Sequence, residues 1–271
     1  MKTAPVPRQR RHTLYFLGEI RAFAPVFLDT EVDMTRVLAH RAAAAAAGTR
    51  YSVVTYVVSQ AAQALAAHPD ANAAVRGRAP RLRVAHYDTV NVKLTLDKVI
   101  AGRRVVMAAL LPSAELCDLG ELQRQVDHYR DGDPGVMPEF APTRSLHQLP
   151  GPVGAALFKL AARPLRRRAL VLGTLAVTSL GHAPVDGFYS VGGTTITLGA
   201  GRVTDRPVVR DGAVVIRPQL RMCLTFDHRV IDGAEAADLL ADIKRGLEEF
   251  GYPGPEPAGP AEVAAAEAAR V

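Results

Sequence analysis

The sequence predicts a mixed β-sheet covered by helices, on three observations. Apolar runs with strand character alternate with helical stretches along the chain. VVRDGAVV sets Asp211-Gly212 between two apolar runs, the pattern of a tight β-hairpin. After it, Ala236, Leu239, Leu240, Ile243 and Leu247 recur at helical spacing with Glu235, Asp238, Asp242, Lys244 and Glu248 around the other face.

The elements follow in order. Residues 1–12 are rich in Pro and Arg and read as a loose arm. From Pro25, VFLDTEVDM alternates as a half-buried strand does. Asp33 or Thr35 can cap a helix that runs through the alanines to Gly48. Ser52 caps a second helix, apolar all round and so deeply buried, which His68-Pro69 ends. Strands are expected around 82–86, 89–96 and 103–111, the last two joined by the turn at Ala101-Gly102, and a helix over 118–130. The Pro- and Gly-rich stretch 132–152 reads as a long loop. VGAALFKLAARPLRRR, 153–168, is apolar and then abruptly basic, a helix interrupted at Pro164. Such a helix either packs on its own core or makes a weak contact with an anionic membrane surface. Glycine-bounded strands follow over 170–181 and 191–203, and IRPQLRMCLTF returns after the hairpin. Residues 251–271 read as a tail, leaving 13–250 as one domain with 132–168 as its enlargement.

Composition narrows the function. With 48% hydrophobic and 22% charged residues the chain of 271 can bury a core, which excludes wholesale disorder. It has no uncharged apolar run of 18 residues, as a membrane span needs, and its start lacks the apolar centre of a secretory signal. A cytoplasmic protein is expected. The charge of +6 comes with few aromatics, at 6%, and no Trp, so nucleic-acid binding is not expected. Cys117 and Cys223 are too few for a disulfide framework, and no histidine shows ligand spacing, so no metal is expected.

The informative segment is Phe226-Asp227-His228-Arg229-Val230-Ile231-Asp232-Gly233. A strand ends, a tight turn intervenes, and Asp232 can cap the next helix. His228 is thereby held on a stiff corner, the mounting a general base needs, and an ordinary imidazole titrates near 6.5. On the residues alone, a structural histidine at a turn accounts for the motif equally well.

DHRVIDG, preceded by LTF and followed by GAEAADLLADIKRGLE, resembles the signature of the dihydrolipoamide acyltransferases of 2-oxoacid dehydrogenase complexes. PVFLDTEVDMTRVL, SVVTYVVSQAAQALAAHPDAN, GTLAVTSLG and GRVTDRPVVRDGAVVIRPQL agree in order, so the resemblance covers roughly 13–250. It implies a chloramphenicol acetyltransferase-like fold, an α/β (α+β) two-layer sandwich, and thioester-dependent acyl transfer between a coenzyme A or carrier-protein thiol and an acceptor. His228 matches the family's general base. Thr178 matches the hydroxyl set against the tetrahedral oxyanion, with Ser179 as the neighbour that could substitute. Asp232 matches the Asp or Asn that fixes the histidine's setting. Asp227, Arg229, Ser179 and His182 are the expected substrate-binding neighbours, although His182 reads better as a solvent-facing loop histidine. The family's sites lie between subunits of a homotrimer, with acyl-CoA or an acyl carrier protein as partner and no permanently bound cofactor.

The departures point to a stand-alone member without a lipoyl domain. The middle block reads VNVKLTLDKVIAGRRVVMAALL, SVGGTTITL replaces the usual Asn-Pro-Pro stretch, and 132–168 is enlarged. A stand-alone acyltransferase, serving lipid or secondary metabolism, is the leading expectation. A site recast for condensation or cyclisation of a carrier-bound intermediate, and a non-catalytic trimeric scaffold, are the alternatives.

Overall fold

In the computed structural model, which describes residues 1, 5–77 and 80–251, the chain is helical from Arg8 onward, within the 1–12 stretch expected as a loose arm. A single 3-10 turn, Arg8–Arg10, leads into α1, Arg11–Glu19. Arg11 holds the helix down by donating to the carbonyls of His147 and Leu149, at 3.2 and 2.5 Å. Proline and arginine alone do not reveal such distant acceptors. The expected tail, 251–271, lies outside the described residues except for Gly251.

The alternation from Pro25 becomes β1, Pro25–Asp33, with Val26, Leu28 and Val32 turned to the core. Asp33 then accepts from Thr35 N at 3.0 Å at the start of α2, Thr35–Ala46. Helix α3, Val53–Ala67, is capped as predicted, Ser52 Oγ accepting from Thr55 N at 3.2 Å. Two short strands, β2 Ala73–Arg76 and β3 Arg83–His86, form a small separate sheet. The first of them has no alternation of its own and was not expected. Next come β4, Val92–Ile100, and β5, Arg103–Leu111, around positive φ values at Ala101 and Gly102, then α4, Leu119–Asp131.

The stretch expected to be a loop contains α5, Ala141–Gln148. Its proline, Pro142, sits in the first turn, where a missing N–H costs nothing. The basic helix is two helices, α6 Gly151–Ala162 and α7 Leu165–Val171, broken at Pro164. The remaining elements are β6, Leu175–Ser179, β7, Ile196–Arg210, β8, Ala213–Asp227, and α8, Gly233–Glu248.

Six strands form one sheet in the order β1-β8-β7-β6-β4-β5. Strand β6 is parallel to both β4 and β7, and the other pairs are antiparallel. One face carries Leu94, Val177, Leu198, Leu224 and Phe226 into the main core, which α3 and α8 complete with Tyr56, Leu65, Leu239 and Ile243. At the alternate positions the opposite face carries Lys93, Thr95, Ala176, Thr178, Thr197 and Thr225. The loop before β7 lies on that face: a Cβ on Gly192 would meet Ala176 and Thr197.

Candidate active site

Strand β8 stops at Asp227 because the chain turns there. Val230 N and Ile231 N both donate to the Asp227 carbonyl, at 2.9 and 3.4 Å, and His228 N donates to Ala24 O at 2.9 Å. The Asp227 side chain is 3% exposed. Its carboxylate accepts from Ala24 N at 3.4 Å, from Arg229 N at 3.2 Å, and from Arg229 Nε at 2.8 Å and Nη2. Arg229 also covers the Phe23 ring, 5.9 Å from its centroid. These contacts tie the turn to the chain entering β1.

The His228 imidazole stands out from this support, 47% exposed, with its ring 5.4 Å from that of Phe226. Its Nδ1 lies 3.5 Å from Asp232 Oδ1. Asp232 occupies the N-cap position of α8 as predicted, but its carboxylate accepts no helix N–H and leans toward the histidine instead. A carboxylate on the Nδ1 side favours the proton there, leaving Nε2 with its lone pair free to accept one.

Thr178 and Ser179 end β6. Thr178 Oγ1 donates to Thr95 Oγ1 at 2.9 Å, while Ser179 Oγ accepts from Gly181 N at 3.3 Å. His182 is exposed on the following loop. Asp97, held below the usual carboxylate range by a hydrogen bond from Arg104, feels His182 as a further positive charge.

The structure groups Asp227, His228, Arg229 and Asp232, but does not bring Thr178, Ser179 or His182 to them within one chain. Thr178 pairs with Gly199, and Gly199 with Cys223, five residues before His228 on β8. Two strand spacings across and five residues along put the two backbone positions about 19 Å apart. They lie at opposite ends of β6.

A buried cation, Lys93, and a half-buried one, Arg168, were missed. Lys93 donates to Gly192 O, lies 4.7 Å from the Phe16 centroid, and has its pKa pushed down to about 7 by burial and then by Arg168. Arg168 donates to Gly193 O at 2.6 Å; burial lowers its pKa, while Asp227 is among the groups that raise it. In VNVKLTLD the lysine alternates with residues that face the main core, the position of a solvated side chain, so no local signal marks its burial.

The sheet order and its helical cover define a chloramphenicol acetyltransferase-like fold. Chloramphenicol acetyltransferase itself superposes with a TM-score of 0.52 at 18% identity, over 90% of this chain and 96% of that one. The dihydrolipoamide acetyltransferase of Azotobacter vinelandii superposes with a TM-score of 0.70 at 19% identity, over 92% of each chain.

Residues 144–252 match the family model for the 2-oxoacid dehydrogenases acyltransferase (catalytic domain). The dihydrolipoyllysine-residue acetyltransferase component of the pyruvate dehydrogenase complex of Bacillus subtilis is 26% identical over 230 residues, 83% of this chain and 45% of that protein. The Staphylococcus aureus counterpart is 26% identical over 250 residues, 90% of this chain and 50% of that protein. The chain is similar to these dihydrolipoyllysine-residue acetyltransferases and spans about half the length of these curated relatives.

Proposed function

We propose that this protein is a thioester-dependent acyltransferase working as a homotrimer, with each active site formed between two subunits. The observation that carries the reading is the exposed His228 imidazole, fixed from behind by Asp227 and Arg229 and flanked by Asp232. His228 Nε2 takes the proton from the acceptor's thiol, hydroxyl or amine as that atom attacks the carbonyl of the thioester donor. The tetrahedral intermediate then breaks its carbon–sulfur bond, and the departing thiolate takes the proton back from the imidazolium and leaves as the free thiol of coenzyme A or of a carrier protein. Base catalysis of this kind contributes about 100- to 10,000-fold.

The tetrahedral oxyanion needs a donor, and the hydroxyl of Thr178 from the neighbouring subunit is assigned that role. The separation of about 19 Å within one chain supports a shared site, since no side-chain motion spans it. A further support is the ribbon where β7 and β8 run past their neighbours, with Val209, Val214 and Ile216 at 71, 72 and 64% exposure. Uncovered apolar surface of that kind marks an interface. In the Azotobacter vinelandii enzyme, a serine, a histidine and an asparagine four residues beyond it were investigated for their part in catalysis, the spacing of His228 and Asp232.

Asp227, saturated by its own partners, acts as a positioning residue, and Arg229 holds it. Ser179 and His182 belong to the neighbour's half of the site. The donor is acyl-CoA or an acylated carrier protein in the cytoplasm. Thiol release from a panel of acyl-CoAs and acyl carrier proteins tests the reading: turnover in the wild type, lost in His228→Ala, is expected. Equal turnover by the two proteins would overturn it.

A further inference from the structure

Helix α6 is apolar on both sides. Its inner side carries Gly154, Phe158 and Ala162: Ala162 is fully covered, the Phe158 ring lies 6.5 Å from that of Tyr15, and a Cβ on Gly154 would sit 2.7 Å from Tyr15 Oη. Further large apolar side chains point outward. Val153, Leu157 and Leu160, at i, i+4 and i+7, keep 46, 46 and 66% exposure, and Leu170 on α7 keeps 68%. A helix that only covers its own core places its leucines inward and its charges outward.

The surrounding charge is of one sign. Between Phe140 and Val185 there is no Asp or Glu, while Arg144, Lys159, Arg163, Arg166, Arg167 and Arg168 all fall in that stretch. Arg163 pairs with Glu19 and Arg168 is turned inward, but Lys159, Arg166 and Arg167 are exposed and have no acidic partner among the described residues. No helix of the described residues is long and apolar enough to cross a membrane.

The geometry points to α6 and α7 as a face that docks on an anionic lipid surface, the leucines at the acyl boundary and the cations among the headgroup phosphates. Helix α6, about 18 Å long, lies along such a surface and does not span it. A second copy of this chain fits less well, because two-fold pairing of this face would set the same cations against each other. The inference goes beyond acyl transfer and does not depend on it.

Sedimentation of the full chain with vesicles tests it. Vesicles of mixed phosphatidylglycerol and phosphatidylcholine should carry the protein down at low salt, and vesicles of phosphatidylcholine alone should do so far less. The double variant Arg166→Gln/Arg167→Gln should lose about 25-fold in partitioning to the anionic vesicles, a factor of about 5 for each cation near the surface. Leu157→Glu/Leu160→Glu should lose at least about 10-fold, while its melting temperature stays close to the wild-type value because neither position is buried. Absence of binding to anionic vesicles, or equal binding by the variants, would overturn the proposal. So would a wild-type assembly that Leu157→Glu/Leu160→Glu makes smaller, since a second copy would then cover the face.

Discussion

Asp227→Asn exchanges a buried carboxylate for an amide of nearly the same shape. The carboxylate takes Arg229 on both oxygens, through Nε and Nη2, and closes the turn on which His228 stands. An amide keeps one acceptor oxygen and presents its own N–H groups to the other guanidinium donor. One charge-assisted hydrogen bond is lost, worth about 1.5–3 kcal/mol. The freed guanidinium, 28% exposed, partly recovers water, so the total falls short of the roughly 3–5 kcal/mol for breaking a fully buried pair. At about 2–4 °C per kcal/mol for a domain of this size, a loss of about 2–3 kcal/mol lowers the melting temperature by about 4–12 °C. His228→Ala is the control, because its side chain is half in water and the change should cost no more than about 0.5 kcal/mol. Thermal unfolding read by circular dichroism separates the two. A misplaced base should also cost Asp227→Asn about 10- to 100-fold in kcat. Melting of Asp227→Asn within about 2 °C of the wild type would refute the claim that this carboxylate builds the turn.

Three further outcomes are expected. Thr178→Val removes the oxyanion donor and should cost about 100-fold or more in kcat with thioester binding retained, measured by steady-state kinetics and calorimetry. His147 has its pKa pulled down to about 4 by burial and by the charges of His12 and Arg11, against about 6.5 when unfolded. Its stabilising effect is therefore full above pH ~6.5 and is lost as pH falls toward 4, so acid titration followed by circular dichroism should show an early loss that His147→Gln flattens. Burial pushes His68 down, but hydrogen bonds to Asp242 and Glu235 outweigh it and raise its pKa. That contribution is full below pH ~6.5 and is lost as pH rises through the raised value, so His68→Gln should lower the melting temperature more at pH ~5.5 than at pH ~9.

Local chemistry decided which features were legible in the sequence. The Asp211-Gly212 hairpin, the Ser52 cap and the stripe of α8 are set by neighbouring residues, and each stands where the pattern put it. Helix α5 hides in the sequence because the prolines within and around it look like breakers, although Pro142 stands in a first turn. The docking of α1 depends on carbonyls more than a hundred residues away, beyond any local pattern. At the site, the corner carrying His228 followed from a strand, a turn and a helix in succession, and the family signature supplied the chemistry. The buried pair of Asp227 with Arg229 and the inward Lys93 arise from packing, so neither spacing nor composition reveals them.

The most direct test of a site shared between subunits is complementation between two inactive proteins. His228→Ala and Thr178→Ala subunits are unfolded together, refolded as mixed trimers, and assayed for acyl transfer. If His228 of one subunit works with Thr178 of the next, random mixing in equal amounts leaves both groups intact at about one interface in four, and about a quarter of the wild-type activity returns. If each site is formed within one chain, every subunit still lacks one group, and the mixture stays as inactive as its parents.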